Sequence, residues 1–217
     1  MAQIVLENIS KTIKRNTVLN NISLEMNSGS VIGFKGINGS GKTMLMRIIT
    51  GLIRPTNGKV FIDGRQLHKD ISFPPSIGLL LENPAFIDAY SGKENLRLLS
   101  TIKHIATDED INEILDFVGL SDAKEKKYKK YSLGMKQRLG IGAAVLEKPD
   151  IVILDEPTNS LDSDGIEMVK RLVKKEKERN ALVILACHEY EILKELSDKI
   201  YCIEAGEITK TLQKGDF

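Results

Sequence analysis

The segment Gly36-Ile37-Asn38-Gly39-Ser40-Gly41-Lys42-Thr43-Met44 constrains this chain more than any other, because it sets a glycine-rich turn between an apolar run and an amphipathic one. The run before it, Val31-Ile32-Gly33-Phe34, reads as a strand. The run after it places Leu45, Ile48, Ile49 and Leu52 at i, i+3, i+4 and i+7 and reads as a helix. That context is the one a phosphate-binding loop requires. Glycines permit the left-handed backbone angles that turn successive N–H groups inward, and the helix N-terminus adds partial positive charge at the same place. In such a loop Lys42 can reach the β- and γ-phosphates of a nucleotide, and the Thr43 hydroxyl can ligate Mg²⁺.

A chain of 217 residues is long enough for one substantial core, or for one core with a subdomain inserted in it. Its 31 basic and 30 acidic residues nearly cancel, so no field of one sign argues for nucleic acid or an anionic membrane surface, and no nucleic-acid partner is expected. No apolar run approaches the ~18 residues of a membrane-spanning helix, and the N-terminus lacks the basic-then-apolar pattern of a signal peptide. A cytoplasmic chain is expected. Cys187 and Cys202 fall in apolar runs without metal-ligand spacing, which implies reduced, buried thiols.

Strands and helices alternate along the chain, which predicts an α/β fold with a largely parallel sheet. Ile4-Val5-Leu6 and Ile22 to Met26 read as short alternating strands, and the Pro55-Thr56-Asn57-Gly58 turn leads into another, Lys59 to Gly64. Together they suggest a small antiparallel sheet flanking the core. Ile77 to Leu81 is apolar throughout, as expected of a strand buried on both faces. Ser91-Gly92-Lys93-Glu94 and Thr107-Asp108-Glu109-Asp110 have the form of capping boxes, and each is followed by helical spacing, Leu96, Leu99 and Ile102 or Lys103 after the first and Ile111, Ile114, Leu115 and Val118 after the second. Lys124 to Lys130 holds five lysines in seven residues and reads as a solvated helix face. A helix then runs from about Gly134 to Leu146, a buried strand from Asp150 to Asp155, and a long helix from Asp162 that buries Ile166, Val169, Leu172 and Val173. Strands at Ala181 to Ala186 and Lys199 to Ile203 follow. The expected architecture is a phosphate-loop nucleoside-triphosphatase core, residues 1–83 and 149–217, with a helical subdomain inserted at about 84–148.

Two carboxylates, Asp155 and Glu156, emerge where an apolar strand ends, at the edge where open α/β sheets bind ligands. Asp155 is suited to orient Mg²⁺ and its water shell, and Glu156 to polarise a water that attacks the γ-phosphate. A third element, Tyr131-Ser132-Leu133-Gly134-Met135-Lys136-Gln137-Arg138, stands just before a helix and upstream of that strand.

With these three elements in this order, the chain resembles over nearly its full length the nucleotide-binding subunit of ATP-binding cassette transporters, whose signature has the pattern Leu-Ser-Gly-Gly-Gln. Ser132 and Gly134 fall on matching positions, whereas Leu133 and Met135 depart from the usual glycine and glutamine. The resemblance implies that the signature of one subunit closes over the γ-phosphate held by the phosphate loop of another. It also implies that Pro157-Thr158-Asn159-Ser160-Leu161-Asp162 crosses that interface with Asp162 as its acid, and that His188 is the switch histidine at the γ-phosphate. His68 and His104 match nothing and are expected at the surface.

Two further departures matter. Glu82 stands where the family usually has a glutamine that bears on the metal; a carboxylate can accept from metal-bound water but adds charge beside the triphosphate. Together with Asn83-Pro84-Ala85-Phe86 and the Ser-Leu-Gly-Met-Lys-Gln-Arg signature, it resembles the bacterial branch that exports peptide antibiotics such as lantibiotics and bacitracin. Near Ile13, where the family commonly stacks an aromatic ring on adenine, no aromatic is found; an aliphatic contact including Val18 would discriminate bases weakly. The resemblance thus implies an ATPase using ATP and Mg²⁺, dimeric with itself or a related subunit, and held on the inner face of the membrane by a separate permease. An alternative is an assembly or signalling module of the same ATPase type with no transported substrate. A phosphate-binding kinase or small GTPase would not explain the signature, Asp162 and His188 together.

Overall fold

In the first strands, residues that alternate between interior and solvent build a twisted antiparallel ribbon. Strands β1 (Gln3–Ile13) and β2 (Asn16–Asn27) pair along their length, bury Ile4, Leu6, Ile9, Leu19, Ile22 and Met26, and are longer than the short strands expected. With β4 (Asn57–Ile62) and β5 (Arg65–Gln66) they form a four-stranded antiparallel sheet in the order β2-β1-β4-β5. The computed structural model describes residues 2–82 and 84–216, so Asn83 lies outside the described residues.

The second sheet has the order β10-β9-β3-β8-β7-β6, with β3 (Val31–Lys35), β6 (Ile77–Leu80), β7 (Ile151–Asp155), β8 (Leu182–Ala186), β9 (Lys199–Glu204) and β10 (Glu207–Gln213). All pairings from β9 through β6 are parallel, and β10 folds back antiparallel on β9. The carboxyl ends of five strands therefore share one edge, which is where ligands of such sheets gather.

Each central strand is apolar on both faces because each face has its own core. Ile32, Phe34, Ile153, Ile184 and Ile203 pack against helix α1 (Lys42–Ile49) and the antiparallel sheet. Val31, Val152, Leu154, Val183, Leu185 and Ile200 pack on the other side, in a cluster shared with α4 (Leu133–Val145), α5 (Ser163–Glu178) and α6 (Tyr190–Leu196). The same cluster takes in Leu96 of α2 (Gly92–Ser100) and Ile111 and Leu115 of α3 (Asp108–Phe117). Fully burying each such side chain is worth about 1.5–3 kcal/mol. Both capping boxes form: Ser91 and Glu94 cap α2 reciprocally, and Thr107 and Asp110 do the same for α3. Among the described residues no helix is long and apolar enough to cross a membrane.

Several local expectations are corrected. β6 is an edge strand of its sheet, with Leu79 39% exposed, and is not buried on both faces. α1 stops at Ile49, so Leu52 lies beyond it, exposed, although it continues the helical spacing. The lysine run is not a helix face; it is loop that follows one short 3₁₀ turn and ends in another, and from it Lys126, Lys127, Lys129 and Lys130 reach solvent. Ile166 is only partly buried, and Met168 takes its place in the α5 core face. Cys187 is buried, while Cys202 is only partly so; both are free thiols. His104 is exposed as expected, whereas His68 is partly buried and desolvation holds its pKa below the usual value.

α4 reaches β6 through glycine. A methyl group on Gly78 would overlap the Ala144 carbonyl oxygen, a backbone atom that cannot move aside cheaply. Gly78→Ala is expected to cost about 3 kcal/mol by overpacking, seen as a lower urea midpoint with an unchanged m-value; an unshifted midpoint would show that α4 can stand off the edge strand.

Candidate functional site

The loop after β3 is shaped by two left-handed glycines, Gly39 at φ 80° and Gly41 at φ 113°. They are required for different reasons. A Cβ on Gly39 would meet nothing within 4 Å, so only the backbone angle demands glycine there and the side facing outward is open. A Cβ on Gly41 would lie 2.7 Å from Leu19 Cδ2, so close packing against β2 demands it as well. The loop is braced from behind. Gly206, in the β9–β10 turn, donates its N–H to the Ser40 carbonyl at 3.0 Å and accepts from the Asn20 N–H at 2.8 Å. Lys42, only 6% exposed, donates from Nζ to the carbonyls of Gly36 at 2.7 Å and Ile37 at 3.2 Å, which sets its ammonium across the mouth of the loop.

Directly opposite, Asp155 ends β7 and is 3% exposed. Its Oδ2 accepts from Thr43 Oγ1 at 2.5 Å, and its Oδ1 is buried with no partner among the described residues. Burial pushes this carboxyl above the usual range, against the pull of the Thr43 hydroxyl and of Lys42. An unpartnered buried oxygen beside a threonine hydroxyl is a hard, all-oxygen donor set of the kind a small divalent cation takes, and it fits Mg²⁺.

Glu156 adopts a left-handed backbone at φ 51°, and its N–H continues the sheet by donating to the Ala186 carbonyl at 2.9 Å. That twist turns its carboxylate toward the end of β8. Oε2 accepts from the His188 N–H at 3.1 Å, and Oε1 lies 3.3 Å from His188 Nε2. Burial raises the Glu156 pKa, while the His188 imidazole and backbone N–H oppose the rise. A cleft of about 210 Å³ is lined by Val18, Asn38, Gly39, Gly41, Lys42, Thr43, Met44, Asp155 and Glu156.

Other expected residues stand apart from this cleft. Ile13 pairs with Asn16 at the tip of the β1–β2 hairpin, 43% exposed, and does not line it. Glu82 is turned to Arg47, whose Nη2 lies 2.6 Å from its Oε1. Ser132, Gly134 and Asp162 form a second cluster within the chain. Ser132 caps α4 by accepting from the Met135 N–H at 3.2 Å, a bond of the kind worth about 1 kcal/mol. Asp162 caps α5 through the Gly165 N–H at 2.9 Å and accepts from Arg138 Nη2 at 2.8 Å. Gly134 lets the start of α4 approach the Ser160 carbonyl, which a Cβ would meet at 2.8 Å.

Two residues join these parts without having been assigned a role from the sequence. Gln137, 6% exposed, donates from Nε2 to the Glu156 carbonyl at 3.1 Å and the Pro157 carbonyl at 3.2 Å, so α4 grips the backbone of the carboxylate turn directly. Its signal was its place on the inner face of the helix that follows Ser132. Arg47 was signalled by its position four residues after Thr43 on α1.

Comparisons agree with this geometry. The family described as ABC transporter matches residues 19–159. An uncharacterized ABC transporter ATP-binding protein, YybJ of Bacillus subtilis, is 49% identical over 191 residues, covering 88% of each chain. The bacitracin transport ATP-binding protein BcrA of Bacillus licheniformis is 37% identical over 89% of this chain and 64% of its own length. Among solved structures, a dimeric, post-hydrolysis state of the ATP-binding cassette MJ0796 bound to ADP and Pi superposes with a TM-score of 0.89 at 26% identity, covering 97% of this chain and 98% of that one.

The Glu156–His188 contact has a measurable sign. Because burial raises the carboxyl, Glu156 should keep its proton above the usual value of 4.5. The folded form then binds more protons than the unfolded one between 4.5 and the raised value, so this group's contribution to stability falls as pH rises through that window. His188→Ala removes an opposing influence and should lift the carboxyl titration further, as followed by ¹³C NMR of the Glu156 side chain. A downward shift would mean that the imidazole does not favour the charged carboxylate.

Proposed function

The chain belongs to the ABC transporter family as an ATP-binding, ATP-hydrolysing subunit, and on that premise we propose that it dimerises head to tail around two Mg·ATP to drive a separate membrane permease. The observation that carries this is the division of the site within one chain. Lys42, Thr43, Asp155, Glu156 and His188 are assembled around the loop, while Ser132 and Gly134 stand at the exposed start of α4 and do not line the cleft. A second subunit is what would bring a signature onto the phosphates.

In this reading the loop N–H groups of residues 36–44 and the Lys42 ammonium hold the β- and γ-phosphates. Thr43 and Asp155 would hold Mg²⁺, with Glu82 nearby, and the ion when bound draws charge from the phosphate oxygens. Glu156 takes a proton from water as the water oxygen bonds to the γ-phosphorus and the bond to the bridging oxygen breaks. His188 orients the Glu156 carboxylate and senses the γ-phosphate, and Asp162 marks the crossing between subunits. Val18, which lines the cleft where Ile13 does not, gives the base an aliphatic seat with no ring to stack on it, so ATP and GTP should compete on nearly equal terms.

The helical subdomain is assigned to about residues 84–148. We expect the permease to dock on that subdomain and the Glu82 loop; on the side nearest β6, Leu79, Leu99 and Ile102 are exposed and line a groove of about 200 Å³ together with Ala143. Peptide antibiotic export is the transport function favoured, in keeping with the resemblance of the signature and the Glu82 loop to that branch. The chain would then sit in the cytoplasm, held peripherally at the membrane by the permease.

Glu156→Gln removes the base while sparing the phosphate contacts, and should run as an ATP-bound dimer in size-exclusion chromatography with light scattering. A monomer at saturating Mg·ATP would count against the two-subunit site. Purification of the tagged chain from detergent-solubilised membranes of its host should recover a multi-spanning protein, and Ile102→Glu should lose that protein while still binding ATP. Recovery of soluble partners alone would favour the assembly or signalling alternative.

A further inference from the structure

Helix α1 carries two polar side chains one turn apart, Thr43 and Arg47, and residues spaced i and i+4 share a helix face. Each engages a carboxylate at the carboxyl end of a different strand. Thr43 Oγ1 donates to Asp155 Oδ2 at the end of β7, at 2.5 Å, and Arg47 Nη2 donates to Glu82 Oε1 just beyond β6, at 2.6 Å. β6 and β7 are hydrogen-bonded neighbours in parallel register, Leu80 opposite Leu154, so Glu82 leaves the sheet at the neighbouring strand end, one residue beyond the level of Asp155. They act on one another: the Glu82 charge pushes the Asp155 carboxyl up, and the Arg47 charge pulls it down. The Arg47 and Glu82 side chains are 34% and 59% exposed, too open for the pair to matter much to folding.

We propose that Arg47 is a positioning residue for nucleotide binding, holding the Glu82 carboxylate at the margin of the site and cancelling its charge so that a polyanion can bind next to Asp155. The inference rests on the ATP-binding reading and deepens it. Two unneutralised carboxylates on adjacent strand ends would repel a triphosphate. One extra unit charge several ångströms away, at a dielectric between those of protein and water, weakens such binding about five- to tenfold. Glu82 thus acts together with the arginine one helical turn beyond the metal-binding threonine.

The test is a two-residue cycle on the purified full chain, with the affinity of a Mg·ATP analogue carrying a fluorescent methylanthraniloyl label on its ribose as the readout. Arg47→Met keeps an unbranched apolar stem and removes the charge; it should raise Kd about five- to tenfold. In a Glu82→Gln background the same change should cost only about two- to threefold, because the arginine's own attraction for the anion is lost in both backgrounds and only in the native one is a carboxylate also released to approach the phosphates. Arg47→Lys, which keeps the cation, should recover most of the affinity and guards against mistaking a folding defect for an electrostatic one. Equal losses in both backgrounds would overturn the proposal, since a packing role or a direct phosphate contact would not depend on Glu82. No loss in the native background would overturn it too. Absence of binding by the unaltered chain is a separate result, and it would remove the ATP-binding reading itself.

Discussion

The hydrogen bond from Thr43 to Asp155 is the constraint on which the rest of the site depends. It ties the first turn of α1 to the end of β7, two strands away from the strand that leads into that helix. To make it, the loop between β3 and α1 must swing the helix N-terminus over β8, and left-handed glycines allow that swing. The bond leaves the second oxygen of Asp155 buried and unpartnered, a cost of about 1–3 kcal/mol that a cation or a bound water can offset. A strand buried along its whole length thereby ends in a group that folding leaves unsatisfied. Function at this edge follows from that mismatch.

Around that bond the carboxylates divide their work by environment. Asp155 is nearly enclosed and faces Thr43; Glu156, the next residue, is turned by its left-handed backbone toward His188. Two neighbouring acids on an ordinary strand would point to opposite faces. Here the strand ends between them, so both stay at the same edge with different partners. Gln137 then fixes the backbone of this turn to the helix that begins at Ser132. The signature and the carboxylate turn are parts of one rigid piece, even though Ser132 itself is remote from the cleft.

Much of this was legible because it is written locally. The glycine loop, both capping boxes, the Asp155 strand end and the helix start at Asp162 depend on residues a few positions apart, and short-range backbone chemistry decides them. What was misread depends on distant partners. The apolar run at Ile77 to Leu81 looks like an interior strand, and only the strand order makes it an edge. Leu52 keeps the helical spacing, but the chain turns at Gly51, whose left-handed φ of 80° ends the helix. β10 was overlooked because it buries little beyond Leu212, giving almost no alternation to read. Arg47 carries no signal in the sequence beyond its spacing from Thr43, and it acquires meaning only when Glu82 arrives from another strand.

The order of strands also bears on how the protein is made. β3 is held on one side by β8 and on the other by β9, and the loop behind it is braced by Gly206. Those supports come from the last fifth of the chain, although the phosphate loop itself lies within the first. While the chain emerges from the ribosome, the loop residues wait unsupported until β8 and β9 have followed them, since pairings so distant in sequence form late. Nucleotide binding is therefore a property that the nascent protein gains only once those strands have been made. A chain cut short before β9 would carry the whole glycine motif and lack the frame that gives it a shape.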